Sequence, residues 1–414
     1  MASLPKPGSQ YTVQYGDTLT ALAQRAYGQA SKWQLIYSAN VLRSGNPDRI
    51  YPGEVFNIPT DPDQAKAQAQ YASRQLQGKK REEATFTIAG KEVPIVTMRT
   101  LDAVDNLVSS WIIETDWIPG HDSAFDQATL PRKYPSSEIY IGSVLIGTGK
   151  LYTPKNKYTV DGRSKVLECF SLTADIEDST LFPPYEFSGK LSAIAKKISS
   201  GLSITAPSDE GPAFDLVVAT RSETKGDFLK RLAQQRGLLA TTDEQGNLVF
   251  MRAVKSAPVG TIAEDETMVT EWEGAFDGRK FFNLYRAVGQ SGDPDEIKST
   301  AQDPVVPGTR QMTFSAGDVD AGQIPITAKW KRNHTYSESL SFPFPVRDWY
   351  DPQGTLWRKG TMVTVKSTTM GTPNGYTFYI KQVEYVLDGQ GRRTTLSLVP
   401  IEALTGDDLK DPWS

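Results

Sequence analysis

Apolar positions along the chain recur with two spacings, and over the first sixty residues the pattern passes from strand to helix and back. Tyr11-Thr12-Val13-Gln14-Tyr15 alternates as a half-buried strand does. Gly16-Asp17 breaks the alternation, and Asp17 or Thr18 is suited to cap a helix with Leu19, Leu22, Ala23 and Ala26 on its apolar face. Tyr27-Gly28 predicts its end. A second short helix fits Lys32 to Asn40, with Trp33, Ile36 and Tyr37 on one side. Asn46-Pro47-Asp48 and Tyr51-Pro52-Gly53 predict turns, and Val55-Phe56-Asn57-Ile58 predicts a closing strand. Strand, helix, helix and strand within 1–60 are the minimum for one shared core.

The pattern changes at 61–83. Alanines lie among Gln, Lys and Arg, ending in Lys79-Lys80-Arg81-Glu82-Glu83, which predicts an exposed helix or tether. From Ala84 strands dominate: Thr85–Ile88, Val108–Asp116 with Trp111 and Ile113 on one side, Glu138–Ile141, Ser143–Ile146, Lys157–Val160 and Lys165–Phe170. Asp161-Gly162 is a strong hairpin signal. The middle is different. Leu191, Ile194, Ala195 and Ile198 mark one amphipathic helix, and Phe228, Leu229, Leu232 and Ala233 mark another over Lys225 to Arg236. Asp243 to Asn247 then turns the chain into Leu248–Met251, so an α/β insert separates two β regions. Phe281–Val288, Thr361–Lys366, Tyr376–Val386 and Arg393–Pro400 are the strands of the last part. The hairpin pattern at Tyr158–Cys169 is echoed at Glu384–Leu398, which fits two related β domains. The expected division is 1–60, a linker 61–83, a β domain 84–185, an insert 186–269, and a second β domain with its tail, 270–414.

Two resemblances sharpen this outline. Gly16-Asp17-Thr18-Leu19, Tyr37-Ser38-Ala39-Asn40, Asn46-Pro47 and Ile50-Tyr51-Pro52-Gly53 resemble the LysM pattern, with extra residues between Asn40 and Asn46. That family binds N-acetylglucosamine in a shallow groove between two loops. By position, the resemblance implies a groove formed by Gly16, Asp17, Thr18, Asn46, Ile50 and Pro52. The same residues also shape turns and caps, so a purely structural use stays open. Over Ala84 to Leu404 the chain resembles the baseplate hub of contractile-tailed phages, the late control D type and its Mu-like relatives. The likeness rests on Lys225–Ala233 with Gly237, the Gly246–Phe250 hairpin, and Trp357 to Pro400. It implies an α+β, mainly β fold: a LysM (βααβ) module, then two tube-like β-barrel domains with an α/β insert. It further implies a homotrimer that presents six barrels in a ring between a sixfold tail tube and a threefold spike.

Composition narrows the chemistry. With 33 Gly and 26 Pro, turns are frequent enough for a β-rich body. A net charge of -4 argues against bulk or sequence-specific nucleic-acid binding. Cys169 is the single cysteine, so neither an internal disulfide nor a thiolate metal cluster is expected. Met1 to Gln10 lacks a secretory pattern and no apolar run reaches membrane-spanning length, so synthesis in the host cytoplasm is expected. His121 and His334 lie in different regions without metal spacing. Gly142 to Lys150 lacks the spacing of a phosphate loop, Gly289–Gly292 lacks that of a nucleophile elbow, and Glu264-Asp265-Glu266 reads as a solvated run. No catalytic residue, metal site or cofactor is expected, and the chain is not expected to be an enzyme.

The leading reading is a structural component of the virion tail baseplate. Its expected partners are further copies of itself, the tail tube protein, the spike protein, other baseplate proteins and peptidoglycan. Two alternatives stay open: a peptidoglycan-binding accessory of a cell-wall hydrolase, and the hub of a phage-derived contractile injection system. The LysM-like module serves either docking or peptidoglycan contact in the first reading.

Overall fold

The computed structural model describes residues 5–44, 46–59, 83–159, 162–199, 201–264, 269, 273–288, 297–315, 324–410 and 412. The linker expected at 61–83 lies outside them except for Glu83, as do Asp161 and Gly289–Gly292. The chain divides into two units, Met1–Ala84 with Ile141–Val144, and Thr85–Tyr140 with Leu145–Ser414.

In the first unit, β1 (Ser9–Thr12) pairs antiparallel with β2 (Val55–Ile58), in register from Ser9↔Ile58 to Thr12↔Val55. The ladder continues loosely at Val13, whose N–H donates to the Glu54 carbonyl at 2.8 Å. Between the strands lie α1 (Leu19–Tyr27) and α2 (Trp33–Ser38). Thr18 caps α1 through Oγ1, which accepts from the Ala21 N–H, and Gly28 closes it at φ +72. The second helix is shorter than its apolar pattern because a 3₁₀ turn, Ala30–Lys32, precedes it. Leu22, Ala23, Ile36 and Ile58 are wholly buried, joined by Tyr11, Val13, Leu19 and Phe56 in one core. Each large apolar side chain in it contributes about 1.5–3 kcal/mol.

The second unit opens with β3 (Ala84–Ile88), β4 (Lys91–Val93), β5 (Thr97–Ala103), β6 (Ser110–Asp116), α3 (Ser123–Ala128), β7 (Ser136–Ile141), β8 (Val144–Thr159), β9 (Gly162–Ser171) and α4 (Ala174–Glu177). Sequence pattern breaks β8 into two strands, whereas it runs unbroken for 16 residues. Its glycines are not turns but points of close approach. A Cβ on Gly147 would lie 2.8 Å from the Trp111 ring, and one on Gly149 would lie 1.8 Å from the Phe170 carbonyl oxygen. The superficial phosphate-loop pattern is therefore the packing signature of a strand, and Lys150 is paired with Asp175 at 2.6 Å.

The insert contains β10 (Glu186–Gly189), α5 (Leu191–Ile198), β11 (Ile204–Thr205), β12 (Phe214–Val218), α6 (Lys225–Gln235), β13 (Leu239–Thr242) and β14 (Leu248–Met251). Both helices bury the faces their spacing predicts: Leu191, Ile194, Ala195 and Ile198 on α5, and Phe228, Leu229, Leu232 and Ala233 on α6. Lys190 offers α5 no side-chain cap, and the buried Glu210 carboxylate replaces one by accepting from the N–H and Oγ of Ser192, each at 2.8 Å. Leu107, Ile176 and Leu181 complete the insert's core.

The last region contains β15 (Pro258–Ala263), β16 (Ala275–Phe276), β17 (Leu284–Val288), β18 (Ile297–Gln302), β19 (Gln311–Ser315), α7 (Ile324–Ser339), β20 (Leu340–Ser341), β21 (Pro343–Val346), β22 (Met362–Ser367), β23 (Thr372–Asp388), β24 (Gly391–Val399) and α8 (Glu402–Thr405). The expected mainly-β α+β class is what is found. Closed barrels are not seen among the described residues. One twelve-stranded sheet instead runs β15-β22-β23-β5-β6-β9-β8-β7-β3-β4, with β24 on β23 and β21 on β24. The joint is β23, whose 17 residues pair with β22 over Thr372–Tyr379 and with β5 over Gln382–Leu387. β24 follows its second half from Tyr379 to Asp388.

Candidate functional site

The two loops proposed to flank a groove are built chiefly by side chains that hydrogen-bond to nearby backbone. After β1, Gly16 adopts φ +87, a conformation that L side chains rarely take. It turns the chain so that Asp17 faces back toward β1. Asp17 Oδ2 accepts from the Tyr11 hydroxyl at 2.9 Å and from the Gln14 N–H at 2.8 Å, while Oδ1 pairs with Arg25. Burial works to raise this carboxyl, but the Gln14, Arg25 and Tyr11 hydrogen bonds outweigh it and hold the group below its usual range. Its side chain is only 8% exposed. Asp17 is thus spent within the fold, and of the two candidate capping residues Thr18 is the one that caps α1.

The second loop has a similar construction. Asn46 Oδ1 accepts from the Asp48 N–H at 2.9 Å, and its carbonyl accepts from Arg49 N–H and from Ser44 Oγ. Ile50 is half-buried against the module's core, whereas Pro52 is exposed in the turn that ends at Gly53, φ +94. That turn stands at the end of the β1–β2 ladder, where the Gly53 N–H donates to the Val13 carbonyl at 2.9 Å. Both loops therefore leave from the same end of the two-stranded sheet. Tyr15 stands on the first of them with 96% of its surface exposed.

Two residues hold this arrangement: Glu54, which carried no motif, and Asn40, which lay in the Tyr37-Ser38-Ala39-Asn40 motif but was given no site role. Glu54 accepts from the Arg43 N–H at 2.8 Å and from the Tyr51 N–H at 2.6 Å, tying the chain after α2 to the Tyr51 turn. Asn40 donates to the Ile36 and Asn57 carbonyls, both at 2.7 Å, and accepts from the Asn57 N–H. A polar residue immediately after a helix was the available signal.

In the body, the residues that carried the hub resemblance are packing residues. Thr224 caps α6 through the Asp227 N–H, and Lys230 bridges Glu177 at 2.6 Å and Asp227 at 3.1 Å. A Cβ on Gly226 would lie 2.9 Å from the Glu177 Cα, so only glycine lets α4 and α6 approach this closely. Gly246 has φ +79 and faces the Thr148 carbonyl, where a Cβ would sit at 2.5 Å. His121 is exposed, and His334 stacks on Trp330 at 4.7 Å and pairs with Glu338 at 3.3 Å. Cys169 is buried, and burial pushes its thiol up to about 12. Among the described residues, no group of three or more His, Cys, Asp and Glu side chains is placed to hold a metal ion.

Both parts are similar to known proteins. Residues 11–59 match the LysM domain, 173–252 the second domain of baseplate hub protein gp44-like proteins, and 325–407 the fourth domain of the Mu phage baseplate assembly protein GpP. The baseplate hub protein gp44 of Escherichia phage Mu is 24% identical over 284 residues, which cover 64% of this chain and 74% of the Mu protein. The fold is shared with the 43 kDa tail protein of prophage MuSo2 from Shewanella oneidensis, at TM-score 0.67 and 22% identity, covering 78% of this chain and all of that one. A tail protein from Neisseria meningitidis MC58 shares it too, at TM-score 0.68 and 19% identity, covering 78% of this chain and 98% of that one. The body of this chain is thus similar to the Mu-type baseplate hub proteins, and its N-terminal segment, 11–59, matches the LysM domain.

Proposed function

We propose that the chain is a non-enzymatic structural hub of a phage tail baseplate, made in the host cytoplasm and assembled as a homotrimer between tail tube and spike. The observation that carries this reading is the match to the Mu hub protein along 284 residues, most of the body. The physical construction agrees with it. Loops, glycines and ion pairs in the body serve packing, and the long β23 ties the strands on either side of the insert into one sheet. The proposed division is 1–60, 61–83, 84–185, 186–269 and 270–414. The insert's hydrophobic core draws mostly on 186–269 and is completed by Leu107, Ile176 and Leu181 of the first β region. Mass measurement of the purified full chain tests the oligomer: a trimer is expected, and a monomer at all concentrations contradicts it.

For the LysM domain, we infer peptidoglycan contact through Gly16, Thr18, Asn46, Ile50 and Pro52, with Asp17 acting as the support of the first loop. The emergence of both loops from one end of the two-stranded sheet and the solvent-facing Pro52 favour this. Co-sedimentation of the full chain with purified peptidoglycan is the test. Asn46→Ala is expected to weaken binding without unfolding the domain. Binding that is absent in the unmodified chain leaves docking of a neighbouring baseplate protein as the domain's role.

A further inference from the structure

The connection from β6 to β7, Trp117 to Pro135, carries the short helix α3 between two loops. This excursion is firmly held by its own side chains. Asp126 on α3 accepts from Trp117 Nε1 at 2.6 Å and from the Gly120 N–H at 2.7 Å. Lys165, reaching over from β9, is 4% exposed. Its ammonium donates to Thr129 Oγ1 at 2.5 Å and lies 4.4 Å from the Trp117 ring centre. Asp122 caps α3 through the Phe125 N–H and pairs with Lys91. At the far end Tyr134 packs edge-on against Tyr152, 5.6 Å between centres, and Tyr152 in turn against Phe170 at 5.7 Å.

The outer surface of the same excursion is left uncovered. Ile118 is 70% exposed, Leu130 44% and Tyr134 51%. Arg132 and Lys133 stand exposed between Leu130 and Tyr134, and neither has an ion-pair partner among the described residues. Both carboxylates of the excursion's core, Asp122 and Asp126, are consumed internally, so the charge left facing outward is positive in a chain whose net charge is -4. Arg132 and Tyr134 also hold φ of +69 and +47, uncommon for residues with a Cβ. Their side chains are presented by a fixed rather than a freely chosen backbone.

We propose that this excursion is a docking element for another protein of the tail, one that offers an acidic patch around an apolar pocket for Tyr134 and Leu130. The inference rests on the hub reading above. Tyr and Arg together beside exposed aliphatic side chains have the composition of an interface hot spot. Two outward cations are too few for a DNA site, which depends on many phosphate contacts.

The test places a photo-crosslinking residue at Tyr134 of the full-length chain within purified tail particles. The expected product joins this chain to a different tail protein at a segment rich in Asp and Glu. The double variant Arg132→Glu, Lys133→Glu, whose side chains are exposed and not needed for folding, is expected to lower the yield at least tenfold. Crosslinks to a second copy of the chain, to DNA, or to nothing while the chain is present in the particles overturn the docking inference alone. Absence of the chain from tail particles removes the hub reading and this inference with it.

Discussion

Lys359 joins three parts of the body through one ammonium group. It precedes β22, and its ammonium donates to Asp102 Oδ1 at 2.6 Å, Thr241 Oγ1 at 2.8 Å and the Thr242 carbonyl at 2.9 Å, with the Ala103 carbonyl at 3.3 Å. One group thus ties the first β region, the insert and the last β region together. Its side chain is 14% exposed and that of Asp102 is 21% exposed, so water screens the pair weakly. Replacing Lys359 with Met keeps the length of the stem and removes the charge. It leaves Asp102 with the Ser109 hydroxyl as its remaining hydrogen-bond donor here, and it strips Thr241 and Thr242 of a donor. Breaking a buried pair from one side costs about 3–5 kcal/mol, and the residual exposure lowers the expected loss to about 2–4 kcal/mol. Urea unfolding followed by tryptophan emission measures this, since Trp357 is buried two residues away. Asp102→Leu in the Lys359→Met background is expected to recover part of the loss, because the orphaned charge goes with it. A Lys359→Met midpoint equal to that of the unmodified chain refutes the reasoning.

Four further outcomes follow from the same geometry. Gly226→Ala, normally favourable in a helix by up to about 1 kcal/mol, is expected to destabilise the body by about 1–3 kcal/mol because its Cβ meets the Glu177 backbone. Thermal unfolding shows the sign. Asp17→Asn is expected to lose about 1–3 kcal/mol of local stability, read as faster hydrogen exchange at the Gln14 amide, which now donates to Asp17. Glu338 is held down to about 2 by its hydrogen bond from His334, so its contribution is present above the unfolded carboxyl value and is lost as pH falls toward about 2. Glu338→Gln is expected to flatten that limb of an acid-unfolding curve. Finally, the Cys169 thiol, buried and raised to about 12, is expected to resist thiol reagents in the native chain and to react at once in denaturant.

Much of this fold was legible in the sequence wherever a segment buries one face. The helices α1, α5 and α6 appear at the positions their apolar spacing marks, and β6 buries Trp111 and Ile113 as the alternation requires. What escaped was set by tertiary contacts. The 16-residue helix α7 was missed because its buried positions include Asn333, Thr335, Ser337 and Ser339, which carry no amphipathic signal. Asn333 is buried by donating to the Glu402 and Asp407 carbonyls, a role visible only once α8 is packed beside it. β8 was broken at glycines that the fold uses for contact. The expectation of separate barrels failed to foresee β23 joining β5, since nothing local marks which strand a long hairpin meets along its other edge.

For the LysM segment, turn chemistry located both loops but could not apportion their side chains. Asp17 reads equally well as a ligand group, a cap or a support, and only its contacts with Tyr11, Gln14 and Arg25 make it a support. Glu54 carries no motif at all, yet it fixes both ends of the second loop.

As a hub, this chain is expected to be a built-in part of the tail baseplate. Electron microscopy of purified tail particles carrying a tag on the chain tests it most directly. Label is expected at the baseplate end, in threefold stoichiometry on the tube axis. Intact, spike-bearing tails that lack the chain, or label distributed along the tube, contradict it.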